Sequence, residues 1–143
     1  MKLHDPGKST RIGKRYEHHV AEYFESIGYE IIGRGIEHAS GVQFDIHARS
    51  VTGIEIGIEC KAGDETSDRP GMRRSDNVWK VGGYLFALQI WAATHPLEVV
   101  PRYVIVTTNM PDADTKWNRM CYQWQLEGHV EFMVLDYPTE AAA

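Results

Sequence analysis

The first regular hydrophobic pattern lies near the start of the chain. Between about residues 14 and 27, apolar side chains recur every three or four positions, at Tyr16, Val20, Tyr23, Phe24 and Ile27. This spacing is typical of an amphipathic helix that buries one face. Gly28 would end the helix, because glycine readily adopts the left-handed conformation common after helix C-termini.

Two segments with alternating apolar and polar positions come next, VQFDIHAR at 42–49 and IEIGIECK at 54–61. A period of two predicts β-strands that bury one face. The four residues between them end in Gly53, which suits the left-handed position of a short hairpin loop. We therefore predict a hairpin, preceded by a short strand at about 29–32 and a glycine-containing loop at 33–41.

The second half of the chain predicts a helix, a strand, a helix and a strand. A polar loop at 63–77 leads into a segment at 78–94 that is apolar on nearly all sides. This segment predicts a helix, capped by Ser75 or Asp76, that is buried or shared with a partner. A strand at 102–109, a helix at 114–126 and a strand at 130–136 follow. The order αβββαβαβ predicts an α/β fold with a mixed sheet flanked by helices.

The hairpin register brings two acidic residues together. A hairpin centred on Thr52 pairs Asp45 with Glu59 on its polar face, and Lys61 follows on that face. On the other face the same register gives apolar pairs: Phe44 with Cys60, Ile46 with Ile58, and Ala48 with Ile56. Facing carboxylates destabilise a sheet by up to about 1 kcal/mol, so we expect a compensating cation. Mg²⁺ suits two carboxylates, and Lys61 could orient or help deprotonate a water bound to that metal.

Glu17 adds a third acid from another element. It borders the apolar face of the first predicted helix, where an acid is unexpected on a plain solvent-exposed surface. Such an acid could support a second metal or hold a metal-bound water, as in two-metal phosphodiester hydrolysis.

The run GYEIIGRGIEHASGVQFDIHARSVTGIEIGIECKAG resembles the core of the PD-(D/E)XK nuclease superfamily, which has a restriction-endonuclease-like αβββαβ fold. The shared features are a helix acid, an Asp before a hairpin, and a (D/E)-X-K tripeptide, here Glu59-Cys60-Lys61. The resemblance implies that Asp45, Glu59 and the carbonyl of Cys60 bind the metal. It also implies that Lys61 serves the attacking water and that Glu17 is the helix acid.

Within that superfamily the chain looks most like Holliday-junction resolvases of the Hjc type and Mrr-like domains. It departs from the pattern in having Phe44 where proline often precedes the Asp, and Glu59 where Mrr-like domains commonly have Gln. The second difference favours the resolvase-like or type II-like branches. Ser40 would correspond to a serine that resolvases place near the phosphate.

Charge narrows the expected mode of DNA binding. The net charge of −5 argues against indiscriminate coating of nucleic acid, because such binding depends on many Lys and Arg residues. Basic residues nevertheless cluster in two places, and we expect both clusters to contact DNA: Arg11, Lys14 and Arg15, and then Arg69, Arg73, Arg74 and Lys80.

Length and composition predict the broad class of protein. The 143 residues, 43% hydrophobic and 24% charged, predict a single folded domain over 1–143, with 1–10 as a flexible basic tail. The start lacks a signal-peptide pattern and no segment is long and apolar enough to span a bilayer, so we expect a soluble, cytoplasmic protein without a membrane partner. Cys60 and Cys121 are expected to be free thiols, and no ligand spacing indicates structural zinc.

The sequence therefore predicts a DNA endonuclease that uses Mg²⁺, with Mn²⁺ able to substitute, and hydrolyses phosphodiester bonds with metal-activated water. We expect a homodimer, because the apolar helix at 78–94 offers a surface to bury, and a modest preference for branched DNA. Alternatives are an exonuclease or a nickase on the same fold, or a non-catalytic nucleic-acid-binding module.

Overall fold

The computed structural model describes residues 7–64 and 66–139. Its elements follow the predicted order, with one short 3₁₀ helix added: α1 Lys8–Ser26, β1 Glu30–Glu37, β2 Gln43–Arg49, β3 Glu55–Lys61, the 3₁₀ helix Gly71–Arg73, α2 Ser75–Thr94, β4 Arg102–Thr107, α3 Lys116–Leu126 and β5 Glu131–Val134. No helix in the described residues combines the length and apolarity needed to cross a membrane.

The strands form one mixed sheet in the order β1-β2-β3-β4-β5. Strand β2 is antiparallel to both of its neighbours, β1 and β3, whereas β3, β4 and β5 run parallel to one another. Helix α1 packs on one face through Tyr16, Val20 and Phe24. Helices α2 and α3 cover the other face, where α2 buries Val81 and Leu85. The predicted mixed sheet flanked by helices is confirmed.

The hairpin forms in the predicted register. Ile46 pairs with Ile58 and Ala48 with Ile56, and Gly53 has the expected positive φ of 88°. The alternation expected beyond Ile46 is wrong, because Phe44 does not face Cys60. Phe44 packs in the α2 cluster, with its ring over Gly57, whereas Cys60 packs towards α1. Gly57 leaves a gap on the α2 face, and the Phe44 ring fills it.

Two element boundaries predicted for the N-terminal half of the chain are wrong. Helix α1 begins at Lys8, because Ile12 extends its apolar face by a turn, so the flexible tail predicted for 1–10 is wrong from Lys8 onward. Residues 1–6 lie outside the described residues. The loop predicted at 33–41 is strand β1 as far as Glu37, because its backbone pairs with β2 despite two glycines.

Helix α2 is buried on one side only within this chain, so of the two predicted alternatives full burial is wrong and sharing with a partner stays a prediction. Trp79, Phe86 and Ile90 are 62%, 66% and 50% exposed. The predicted cap is also wrong. Arg74 occupies the N-cap position in an extended conformation without a side-chain cap, and the Asp76 carboxylate accepts two hydrogen bonds from the Arg74 guanidinium.

Candidate active site

The hairpin topology brings the predicted acids to one edge of the sheet. Strand β2 begins near where the antiparallel strand β3 ends, so Asp45 comes close to Glu59 and Lys61. The described backbone pairing of β2 with β3 extends to Ile46 and Ile58. One residue further, the N–H of Cys60 donates to Asp45 Oδ2 over 2.7 Å. This bond fixes the Asp45 carboxylate beside Glu59.

Glu59 is a charged side chain held almost out of solvent. It is 7% exposed, and its Oε1 lies 3.2 Å from Lys61 Nζ. Burial, followed by the charge of Asp45, raises the pKa of Glu59 to about 7, although the Lys61 ammonium opposes that shift. The ion pair therefore offsets only part of the cost of placing two carboxylates together in a buried site.

Glu17 reaches the same site from α1. Burial and the Asp45 charge raise the pKa of Glu17 to about 7, and the two side chains share a hydrogen bond. In Asp45, burial raises the pKa, while the bonds from Cys60 and Glu17 act in the opposite direction. In its protonated form Glu17 donates to the Asp45 carboxylate, which is the contact expected of a helix acid that orients a neighbouring group.

Next to Glu17, helix α1 is fixed to the segment that follows β5. The buried Tyr16 donates its hydroxyl hydrogen to the Leu135 carbonyl over 2.6 Å, and its ring stacks on Tyr137. Burial accordingly raises the pKa of Tyr16 well above its usual range. This anchor sets the rotation of α1 and, with it, the position of Glu17 over the sheet edge.

Arg34 is a site residue that the sequence reasoning missed. Its positive charge lowers the pKa of both Glu17 and Asp45, so it lies close to the acids. Arg34 lies on β1 and pairs with Ile46, the residue after Asp45. Its spacing from Ile32 and Ile36 would have placed it on a strand, but Gly33 and Gly35 beside it indicated a loop.

The donor chemistry of the site matches a hard divalent cation. Among the described residues, no group of three or more His, Cys, Asp or Glu side chains forms a ready metal cluster. Two acids, Asp45 and Glu59, face one another with raised pKa values, so bringing in positive charge would stabilise their ionised forms. Mg²⁺ is commonly held by one or two carboxylates together with water and substrate phosphate, and these residues fit that pattern.

The predicted N-terminal DNA contacts lie along α1. Arg11, Lys14 and Arg15 are exposed there, and Lys14 is near enough to Glu17 to lower its pKa. The Arg15 guanidinium lies over the Tyr137 ring, 5.7 Å from its centre. Ser40 has a local role, because its hydroxyl bonds to His38 and accepts from the Val42 N–H in the turn between β1 and β2.

The second basic cluster lies in the segment after β3 and at the start of α2. Arg73 pairs with Asp112 over 3.0 Å. Arg74 and Lys80 both pair with Asp76, at 3.0 Å and 3.8 Å. Arg69 is exposed.

Three neighbouring surface depressions continue from the carboxyl end of β3. Ala62 lines the first and Gly63 the second, directly after Lys61. The third shares Arg69 with the first and Arg73 with the second. We call the three together the basic groove, defined by Lys8, Arg69, Arg73 and Arg74. Its lining begins with the residues directly after Lys61 and reaches Trp117 near the start of α3.

No protein-family model and no curated protein sequence matches the chain. Two solved structures resemble its fold. The EndoMS chain of the EndoMS-dsDNA2 complex aligns with a TM-score of 0.53 and 16% identity over 87% of this chain and 46% of that one. A repair endonuclease from Pyrococcus abyssi aligns with a TM-score of 0.55 and 15% identity over 96% of this chain and 50% of that one.

This chain therefore spans about half the length of each solved chain. At these identities the likeness concerns the fold. The predicted restriction-endonuclease-like arrangement of a mixed sheet and flanking helices is confirmed. The roles of individual site residues remain predictions.

Proposed function

We propose that this chain is a Mg²⁺-dependent DNA endonuclease. The observation that carries the proposal is the meeting of Asp45, Glu59 and Lys61 at one sheet edge, with Glu17 hydrogen-bonded to Asp45 from α1. Two acids held together at the cost of raised pKa values are typical of functional sites. The groove that continues from Lys61 supplies room for a polymeric substrate.

Each side chain of the site has a separate role in phosphodiester hydrolysis. Asp45 and Glu59, with the carbonyl of Cys60, would hold Mg²⁺, and Mn²⁺ would substitute. Bound there, the cation would neutralise charge on the phosphate and lower the pKa of water. Lys61 Nζ, fixed by Glu59, holds the attacking water in line with phosphorus. Glu17 keeps the Asp45 carboxylate oriented, and Arg34 balances negative charge at the edge of the site.

DNA is the favoured polymer, because the two solved proteins of similar fold are named a repair endonuclease and a complex with dsDNA. Helix α1 contributes Lys8 to the basic groove and Glu17 to the acids, and Arg11, Lys14 and Arg15 lie on the same helix. A strand that contacts α1 and the groove would therefore be held beside the candidate site. Internal cleavage follows from an open groove, which does not require a free strand end.

A homodimer is part of the proposal, and α2 supplies its surface. Phe86 and Ile90 lie four residues apart on one exposed face, and Leu97, which is 98% exposed, follows beyond the helix. An apolar surface of this kind marks an interaction site. Pairing of two copies through it would place two active sites on one assembly and favour branched DNA over straight duplex. Light scattering of wild type and Phe86→Asp tests this contact. If the dimer forms through α2, wild type is a dimer and the variant is a monomer.

The deciding experiment is incubation of the purified chain with linear duplex, single-stranded, flapped and four-way-junction DNA. Each substrate is treated with Mg²⁺, with Mn²⁺ and with EDTA, and closed circular DNA is included. Cleavage of the circle with either metal and none with EDTA supports the endonuclease. Cleavage that needs a free end favours an exonuclease, and relaxation without linearisation favours a nickase. Tight metal-independent binding without cleavage would leave the non-catalytic module as the better account.

A further inference from the structure

An aromatic pair lies at the far end of the basic groove from the acids. Trp79 on α2 and Trp117 on α3 meet edge to face, with ring centres 5.7 Å apart and planes at 78°. Trp117 is half-buried and lines the third depression of the groove together with Arg69 and Arg73. Trp79 is 62% exposed, so most of its surface faces solvent.

Charge alone gives this groove little affinity for DNA. Its lining contains four basic residues, Lys8, Arg69, Arg73 and Arg74, and four acidic residues, Asp64, Asp68, Asp112 and Asp136. Arg73 is already paired with one of those acids, Asp112. Attraction for phosphates grows with the number that a protein neutralises, so a charge-balanced groove needs another source of affinity.

The tryptophan pair supplies that source in a preorganised form. The edge contact with Trp117 fixes the Trp79 ring, so little side-chain entropy is lost when a flat ligand stacks on it. Lys80 follows Trp79 on α2, and Lys116 Nζ lies 4.7 Å from the centre of the Trp117 ring. Exposed aromatic rings among cations are the arrangement that binds single-stranded nucleic acid through base stacking.

The pair is rigidly connected to the candidate active site. Asn77, two residues before Trp79, donates from Nδ2 to the Gly71 carbonyl over 2.8 Å. Gly71 in turn packs so closely on the sheet that an added Cβ would lie 3.0 Å from the Lys61 carbonyl oxygen. A base held by Trp79 would therefore have a fixed position relative to the reacting phosphate.

We propose that Trp79, backed by Trp117, is a stacking site for an unpaired base of the DNA substrate. Bases within a duplex are stacked on one another, so only a branch, gap or distortion with unpaired nucleotides presents a base to this site. The inference rests on the proposed function and refines its substrate, from branched DNA in general to DNA with unpaired nucleotides in the arm that occupies the groove.

The test is DNA affinity measured by fluorescence anisotropy in EDTA, so that no strand is cut. The probes are a duplex carrying a branch of unpaired thymidines and a fully paired duplex of equal length. Trp79→Ala is expected to weaken binding of the branched probe about tenfold, as loss of one stacked base does, and that of the paired probe less than about twofold. Trp79→Phe keeps a stacking ring and should retain most of the affinity.

Tyr122→Ala is the matched control, because Tyr122 is an exposed aromatic residue on α3 that does not line the groove. Equal affinity of Trp79→Ala and wild type for the branched probe would overturn the stacking site while leaving cleavage, and hence the endonuclease, intact. Dissociation of a wild-type dimer by Trp79→Ala, seen by light scattering, would overturn it by assigning Trp79 to a protein contact. Absence of both binding and cleavage in wild type would remove the proposed function as well.

Discussion

The Cys60 N–H donates a hydrogen bond to the Asp45 carboxylate over 2.7 Å. If the strand pairing continued, a backbone carbonyl of β2 would accept this bond instead. The described β2–β3 pairing extends to Ile46 and Ile58. The carboxylate is thereby tied directly to the backbone of the Glu59-Cys60-Lys61 tripeptide. Asp45 and Glu59 can separate only if this hydrogen bond breaks, which explains how two like charges are kept adjacent in a partly buried site.

Lys61→Ala is expected to abolish cleavage. The Lys61 ammonium is nearly buried against Glu59, and loss of a side chain that assists proton transfer typically lowers turnover about 10²–10⁴-fold. The fold and DNA affinity should change little. The comparison is single-turnover cleavage and anisotropy against Arg102→Ala, which removes an exposed basic residue at the start of β4. Undiminished turnover in Lys61→Ala would refute the assignment of Lys61 to the chemical step.

Glu59→Gln should remove cleavage and stabilise the metal-free protein. Burial and the Asp45 charge raise the pKa of Glu59 from 4.5 to about 7, so between these values the folded chain binds more protons than the unfolded chain. Stability therefore falls as the pH rises through that window and levels off above about 7. Glu59→Gln removes this pH-dependent loss of folding stability. Its melting temperature near pH 8 should therefore exceed that of wild type by about 3 °C or more.

The readout for this prediction is thermal unfolding from about pH 5 to 8 in EDTA, and again in Mg²⁺. Mg²⁺ should raise the melting temperature of wild type most at the alkaline end, where both carboxylates are ionised, because a ligand that binds only the folded state stabilises it. Asp45→Asn should lose this metal response. A variant that melts many degrees below wild type without metal would show that the acidic pair is structural.

Glu17→Gln is expected to slow cleavage without stopping it. Gln can still donate a hydrogen bond to Asp45 but carries no charge that could support the metal from the edge of the site. Loss of such an outer contact usually costs about 10–100-fold in metal affinity or activity. Rates measured across a Mg²⁺ titration are compared with Glu22→Gln, an exposed acid on the same helix. A Mn²⁺-soaked crystal with Glu17 remote from Asp45 would refute this role.

The sequence predicts those parts of the site that depend on local periodicity. The register of the hairpin centred on Thr52 brings Asp45 close to Glu59, and helical spacing places Glu17 at the edge of the apolar face. Arg34 could not be predicted in the same way, because glycines interrupt its strand and the pairing partner lies across a turn. The ion pair between Arg73 and Asp112 joins the 3₁₀ helix to the loop before α3, and no periodic pattern relates the two residues.

The exception within the hairpin is Phe44, whose side chain leaves the face that alternation assigns to it. The cause is the absence of a side chain at Gly57, a void visible only when the strands are paired. A Cβ at Gly57 would lie 2.6 Å from the Phe44 ring. Gly57→Ala should therefore displace Phe44, destabilise the fold by about 1–3 kcal/mol and reduce cleavage by moving the adjacent Asp45.

Gly83→Ala is the matched control for that prediction. Gly83 lies within α2, and nothing lies within 4 Å of an added Cβ. Alanine there should stabilise the fold by up to about 1 kcal/mol, because glycine is a poor helix former. Chemical denaturation of both variants checks the opposite signs. A neutral effect of Gly57→Ala would show that Phe44 repacks freely and that its ring does not fix the start of β2.

The last prediction concerns DNA shape, and it follows from how little net attraction the protein has for duplex. The chain has a net charge of −5, and the acids lining the basic groove match its basic residues in number. Straight duplex should therefore bind weakly, whereas a four-way junction can contact the groove and the basic residues of α1 through different arms. At about 0.1 M salt, which screens exposed charges beyond about 10 Å, the junction should be cut several times faster than a linear duplex of equal length in direct competition. The triple variant Arg69→Ala, Arg73→Ala, Arg74→Ala should reduce that preference more than it reduces cleavage of the duplex, because these arginines contact only the arm that enters the groove. Equal cutting of both substrates, unchanged in the variant, would remove the branched-DNA preference and leave a restriction-type or exonucleolytic enzyme as the better account.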